Sequence, residues 1–89
     1  GLPCVVSSAL ESSVGIAAGV ALAAALPELP FACGLATVAL FTDDVTGTPL
    51  LPVDGELPVR RVEPERLAAV AADPDTDARW RARLAAVLA

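Results

Sequence analysis

Cys4-Val5-Val6-Ser7-Ser8-Ala9-Leu10-Glu11-Ser12-Ser13-Val14-Gly15, continued by the alanine-rich run to Leu26, decides how the rest of the 89-residue chain is read. Val5-Val6 has the β-branched character of a buried strand, so residues Gly1–Ser8 are predicted to be a first strand. Ser7 and Ser8 leave it. Ser12 or Ser13 is a natural N-cap, because a serine oxygen accepts the free amide protons of a first helical turn. From Val14 to Leu26 the residues are apolar and helix-permissive until Pro27, which predicts a buried helix over Ser12–Leu26. The turn between strand and helix aims free N–H groups at the space above the strand end, a setting for a carboxylate or phosphate. A plain capped core helix with no ligand is the competing reading.

The remaining elements follow in order. Along the helix, Gly15, Ala18, Gly19 and Ala23 form a small-residue face for close approach, while Ile16, Val20, Leu22 and Leu26 fill space. A helix apolar all round is expected to be buried on more than one side. Pro27-Glu28-Leu29-Pro30 is a rigid connection, and Phe31-Ala32-Cys33 begins a second strand that breaks at Gly34. A strand–helix–strand crossover is right-handed and sets its two strands parallel. Gly34 therefore falls at the same sheet edge as Ser7 and Ser8, the carboxyl edge where α/β folds bind ligands. Gly34 is either a place where a ligand approaches backbone or a simple turn glycine.

Beyond it, Leu35–Phe41 reads as a short helix or extended segment, and Asp43-Asp44 as solvated caps, with no third carboxylate at metal-binding spacing. Asp54-Gly55 predicts a hairpin turn between short strands Leu50–Val53 and Leu57–Val62. Pro64 opens a short helix carrying Leu67, Val70 and Ala71. A last helix is capped by Asp75 or Thr76, with Trp80, Leu84, Val87 and Leu88 on one face and Trp80 as its packing anchor. Arg79 and Arg83 share another face and stay in water.

Composition narrows the chemistry. Hydrophobic residues make up 55% of the chain and the net charge is −5. So small a domain leaves much surface exposed, and the apolar excess implies burial against a surface this segment does not supply. The acidic balance argues against nucleic acid, which needs a basic patch. The chain has neither His nor Lys, the two commonest neutral-pH proton carriers, which removes Ser-His-Asp and Cys-His arrangements. Cys4 and Cys33 lack CxxC spacing and are expected to be buried thiols in a reducing compartment. With no basic leader and an apolar run shorter than the roughly 20 residues a bilayer needs, a cytoplasmic chain without membrane contact is expected.

The stretch Val6–Gly15 resembles the seventh-strand signature of the o-succinylbenzoate synthase family, within the enolase superfamily. Leu29-Pro30-Phe31-Ala32-Cys33-Gly34-Leu35 is similar to that family's eighth-strand region, and Val53-Asp54-Gly55 with Leu57-Pro58-Val59 to its tail. The likeness runs to about Arg66; none is visible beyond Asp73. It implies an α/β fold: the last strand–helix–strand part of a modified (β/α)7β barrel, a scaffold of roughly 250 residues, under a capping domain. Residues 1–45 would belong to the barrel, and 46–89 would be a tail with short strands and helices packing back on barrel or capping domain.

The same resemblance implies a lyase of menaquinone biosynthesis that dehydrates a succinyl-hydroxy-cyclohexadiene carboxylate. Two lysines and a Mg²⁺ ion carry that chemistry, because so weak a carbon acid ionises only where metal and cations meet the developing charge. Both lysines and the metal's acidic ligands would lie outside this segment. What carries over is substrate contact: Ser7 and the adjoining Ser8, Gly34 by its backbone, and Leu35 and Ala36 along the same wall. Glu11 matches the signature too, with a role that could be purely structural. The implied partners are a small carboxylate substrate and the rest of the barrel and cap. An N-acylamino acid racemase of the same superfamily and a noncatalytic dimerisation domain are the alternatives.

Overall fold

A computed structural model describes all residues, Gly1–Ala89. Its centre is helix α1, Ser13–Ala25, within one residue at each end of the predicted span. Ser12 holds the N-cap position in an extended conformation, and Leu26 leaves the helix just before Pro27. Ile16, Val20 and Ala23 form the buried face of α1, and Leu35, Val38, Leu50 and Val62 complete the core. Gly19 makes that packing possible: a Cβ there would stand 2.8 Å from the Leu35 Cδ2 atom. Gly15 admits the Glu11 side chain in the same way, with the Glu11 Cβ 2.6 Å from where a Gly15 Cβ would be.

The other side of α1 is bare. Ala18 is exposed and Leu22 is 57% exposed, so within this chain the helix is covered on one side rather than several.

The two predicted strands around α1 contract to a single parallel bridge between Ser7 and Gly34. The Ser8 amide donates to the Gly34 carbonyl at 2.8 Å, and the Gly34 amide to the Val6 carbonyl at 3.0 Å. The parallel sense agrees with the crossover argument. The extent does not, because a strand is held by ladders on its flanks and here each segment has only the other.

The tail departs further from expectation. Asp54 and Gly55 do make a tight turn, with φ of 51° and 78°, closed by Val53 and Glu56 in an antiparallel bridge. These positive φ values are those of a two-residue hairpin loop. The flanking strands Leu50–Val53 and Leu57–Val62 do not form beyond that bridge. Leu35–Phe41 contains a single 3₁₀ turn, Thr37–Leu40. The helix expected from Pro64 is a succession of turns closed by Ala69 N–H to Arg66 and Val70 N–H to Leu67, since so short a run rarely nucleates a helix by itself.

Helix α2, Pro74–Leu88, is capped by Asp73 rather than by Asp75 or Thr76. The Asp73 carboxylate accepts the Thr76 amide at 2.8 Å and the Thr76 hydroxyl at 3.1 Å. Pro74 takes the first helical position, where its missing N–H costs nothing. No α2 residue is buried. Trp80 is therefore no packing anchor here: it is 61% exposed, with only the Arg83 guanidinium over its ring at 5.2 Å. Cys4 is exposed and Cys33 half-buried, against the expectation of two buried thiols, because residue 4 lies beyond the part of the segment that packs on α1.

The accessible surface is 6649 Å², against roughly 4,900 Å² for a compact monomer of this mass. The radius of gyration is 15.5 Å, against about 12 Å for a compact domain of this length. Small-angle scattering on the 89-residue chain is expected to give a radius of 15 Å or more, with binding of a hydrophobic dye. A compact particle near 12 Å that binds no dye would contradict an unpartnered segment.

Candidate substrate-binding wall

Period-two alternation decides what the bridge offers. Val6 and Cys33 pack against the core on the α1 side. Ser7 and Gly34, one residue on, face the opposite way and are both exposed. A Cβ built on Gly34 would lie 3.4 Å from the Ser7 Cβ and 3.9 Å from its Cα, so Ser7 and the bare face of Gly34 sit side by side. Nothing in this chain requires glycine at position 34. Positive φ at glycine is confined to Gly55, and an alanine methyl would meet Ser7 at ordinary contact distance.

Ser8 points to the other side. Its hydroxyl lies 3.1 Å from the Gly34 carbonyl and 2.7 Å from the Thr37 hydroxyl, and Thr37 in turn donates to the Ala9 carbonyl. Leu35 is buried under α1, so its side chain belongs to the core. Ala36 is exposed, at the start of the 3₁₀ turn. Thr37 was missed in the sequence, although a lone hydroxyl inside the apolar run Leu35–Leu40 was the available signal.

The first residue of the helix is engaged within the chain. Asp44, 7% exposed, accepts the Ser13 amide at 3.1 Å and the Val45 amide at 2.8 Å. Its second oxygen accepts the Ser13 hydroxyl, whose oxygen accepts the Leu50 amide at 2.8 Å. Ser12 makes no side-chain cap bond. The first helical amide is thus taken by the chain's own carboxylate, and Asp44 is a buried tertiary cap, not a solvated one.

Its neighbour Asp43 is exposed and pairs with Arg66. Glu65 accepts the Gly47 amide at 2.8 Å and the Thr46 hydroxyl at 3.0 Å. The Arg66 guanidinium holds the Asp43 carboxyl below the usual range, and the Gly47 amide does the same first and foremost for Glu65.

The chain is 67% identical over 91 aligned residues to an o-succinylbenzoate synthase of Thermobifida fusca, which covers all of this chain and 28% of that protein. It is 53% identical over 87 residues to one of Mycobacterium ulcerans and 54% identical over 87 to one of Mycobacterium tuberculosis, each covering 96% of this chain and 26% of the relative. The chain is a homologue of the carboxyl-terminal part of the o-succinylbenzoate synthases. It spans little more than a quarter of the length of the relatives it matches. No family model matches.

The residues here do not fit a metal centre of such an enzyme. No three His, Cys, Asp or Glu side chains converge on one point, and Asp43, Asp44 and Glu65 are committed to Arg66 and to amide and hydroxyl donors. No helix is long and apolar enough to cross a membrane.

Two outcomes follow from the Asp44 and Glu65 contacts. Asp44→Ala removes the acceptor of buried donors, and hydrogen exchange at Ser13, Val45 and Leu50 is expected to accelerate roughly ten- to hundredfold. Unchanged protection would refute the tertiary cap. Glu65 and Asp43 have depressed pKa values, so their contribution is complete above the ordinary carboxylate range and is lost as pH falls through the lower folded-state value. The Gly47 amide resonance should hold steady from pH 7 to about 5 and titrate only below the ordinary glutamate value of 4.5. A midpoint at or above 4.5 would contradict the contact.

Proposed function

We propose that this chain forms the substrate-binding wall at the end of an enolase-type barrel whose other strands and capping domain complete the enzyme. The reaction is the dehydration of a succinyl-hydroxy-cyclohexadiene carboxylate to o-succinylbenzoate, a step of menaquinone synthesis in the cytoplasm. Lysines and acidic ligands for Mg²⁺ are supplied from outside these residues. Residues 1–45 belong to the barrel; residues 46–89 pack back over it or against the cap.

One observation carries this reading: a glycine that the local fold does not need stands beside an exposed serine hydroxyl on the face turned from α1. A missing side chain admits a ligand to the backbone, and the Ser7 hydroxyl can donate to a carboxylate in a charge-assisted bond. Ser8, Leu35 and Ala36 support the wall rather than all facing the substrate.

The test uses the complete enzyme that carries this segment, assayed with Mg²⁺ for the dehydration and, in parallel, for racemisation of N-acylamino acids. Ser7→Ala and Gly34→Ala are each expected to raise KM roughly tenfold or more, the loss of a hydrogen bond to a charged group, with thermal stability unchanged. Parental KM in both variants would dispose of the wall. Racemisation faster than dehydration would move the enzyme to the neighbouring activity while leaving the wall in place.

A further inference from the structure

Two serines stand at the bridge, and their hydroxyls are not equivalent. No side chain or carbonyl of this chain lies within bonding distance of the Ser7 hydroxyl. Ser8 and Thr37 share three contacts, from Ser8 to the Gly34 carbonyl, from Ser8 to Thr37, and from Thr37 to the Ala9 carbonyl. Two hydroxyl protons must serve them. The Gly34 carbonyl already accepts the Ser8 amide. If Ser8 and Thr37 both donated to carbonyls, the 2.7 Å approach of their oxygens would hold no proton. With Thr37 donating to the Ala9 carbonyl, the single Ser8 proton is shared between the Thr37 oxygen at 2.7 Å and the Gly34 carbonyl at 3.1 Å. The longer contact, to a carbonyl already served by the Ser8 amide, is the one that costs least to leave without it.

We propose that Thr37 is a positioning residue: its hydroxyl clasps Ser8 and Ala9 across the two chain segments, which makes Ser8 a strut and leaves Ser7 as the serine that donates to the anionic ligand. This deepens the substrate-wall reading and rests on it. The clasp joins residues 28 and 29 positions apart in sequence. It sits on the far side of the bridge from Ser7, so Thr37 touches no ligand itself. The Glu11 carboxylate contributes to the same turn by accepting the Ala9 amide at 3.3 Å. Ala9 is thus gripped at its carbonyl by Thr37 and at its amide by Glu11, directly behind the pair that forms the wall.

The experiment is a set of variants in the complete enzyme: Thr37→Val, Thr37→Ser, Ser8→Ala, Ser7→Ala, and the pairs Ser7→Ala/Thr37→Val and Ser7→Ala/Ser8→Ala. Thr37→Val keeps the shape and deletes the clasp; it is expected to raise KM roughly fivefold, with the change falling on KM rather than kcat. Thr37→Ser restores the hydroxyl and brings KM back to within about twofold of the parent. Ser8→Ala, which breaks the same clasp, matches Thr37→Val. Because Thr37 acts through Ser7, the Thr37→Val effect shrinks to less than about twofold when Ser7 is already alanine.

A full Thr37→Val effect in the Ser7→Ala background, or no rescue by serine, would overturn the proposal. So would a Ser8→Ala effect that simply adds to that of Ser7→Ala, which would make Ser8 a direct ligand contact. Should Thr37→Val fail to fold, the Ser8→Ala and Ser7→Ala pair decides the same question. Parental KM in Ser7→Ala would instead strike the substrate-wall reading, so the two failures are told apart.

Discussion

The buried carboxylate of Asp44 on the first turn of α1 is the constraint from which the other placements follow. A helix begins with amide protons that have no partner in the helix, and its dipole favours a negative charge there. Asp44 accepts the first of those amides, from Ser13, and places its charge there from outside the helix. Through Ser13 it also fixes the Leu50 amide, so one carboxylate ties the helix start to the loop after the 3₁₀ turn and to the tail. Leu50 can then fill the core at 1% exposure. The outer ring of contacts, Asp43 with Arg66 and Glu65 with Gly47, lies in water and contributes little by itself. Its effect is to keep residues 43–47 against residues 65–66.

The proposed anion site rests on the exposed bridge between Ser7 and Gly34. Alternation along the two segments does the sorting. Val6, Cys33 and Leu35 turn to α1 and are absorbed by its face, whereas Ser7 and Gly34 are left facing away. Gly19 on the helix and Gly34 on the bridge thus have opposite uses. The first is required by a neighbour already present, Leu35; the second has no such neighbour, which is why it points to something outside this chain.

What was legible in the sequence was local. The span of α1 followed from a run of apolar helix formers stopped by Pro27, and the Asp54-Gly55 turn from the positive φ its two residues tolerate. The parallel pairing of Ser7 with Gly34 was legible through a topological rule. What was not legible depended on partners. Asp44 caps a residue 31 positions away, and nothing near it in sequence says so; the serines at 12 and 13 offered a cap that local chemistry made equally reasonable. Expected strands shrank to bridges because a strand's hydrogen bonds belong half to its neighbours. The Trp80 face was recognised as apolar, but its exposure in α2 depends on what lies opposite, which no periodicity within the helix reveals.

The relatives are some three to four times longer than this chain, and in the proposed barrel the open side of α1, the lone bridge and the bare α2 are the surfaces that further elements would cover. The most direct measurement of the central claim is a crystal structure of the complete enzyme with o-succinylbenzoate bound. The expected result is a ligand carboxylate within hydrogen-bonding distance of the Ser7 Oγ atom and in contact with the Gly34 backbone, with Ser8 still bonded to Thr37. A ligand seated elsewhere, with protein side chains filling the space in front of Ser7 and Gly34, would contradict it.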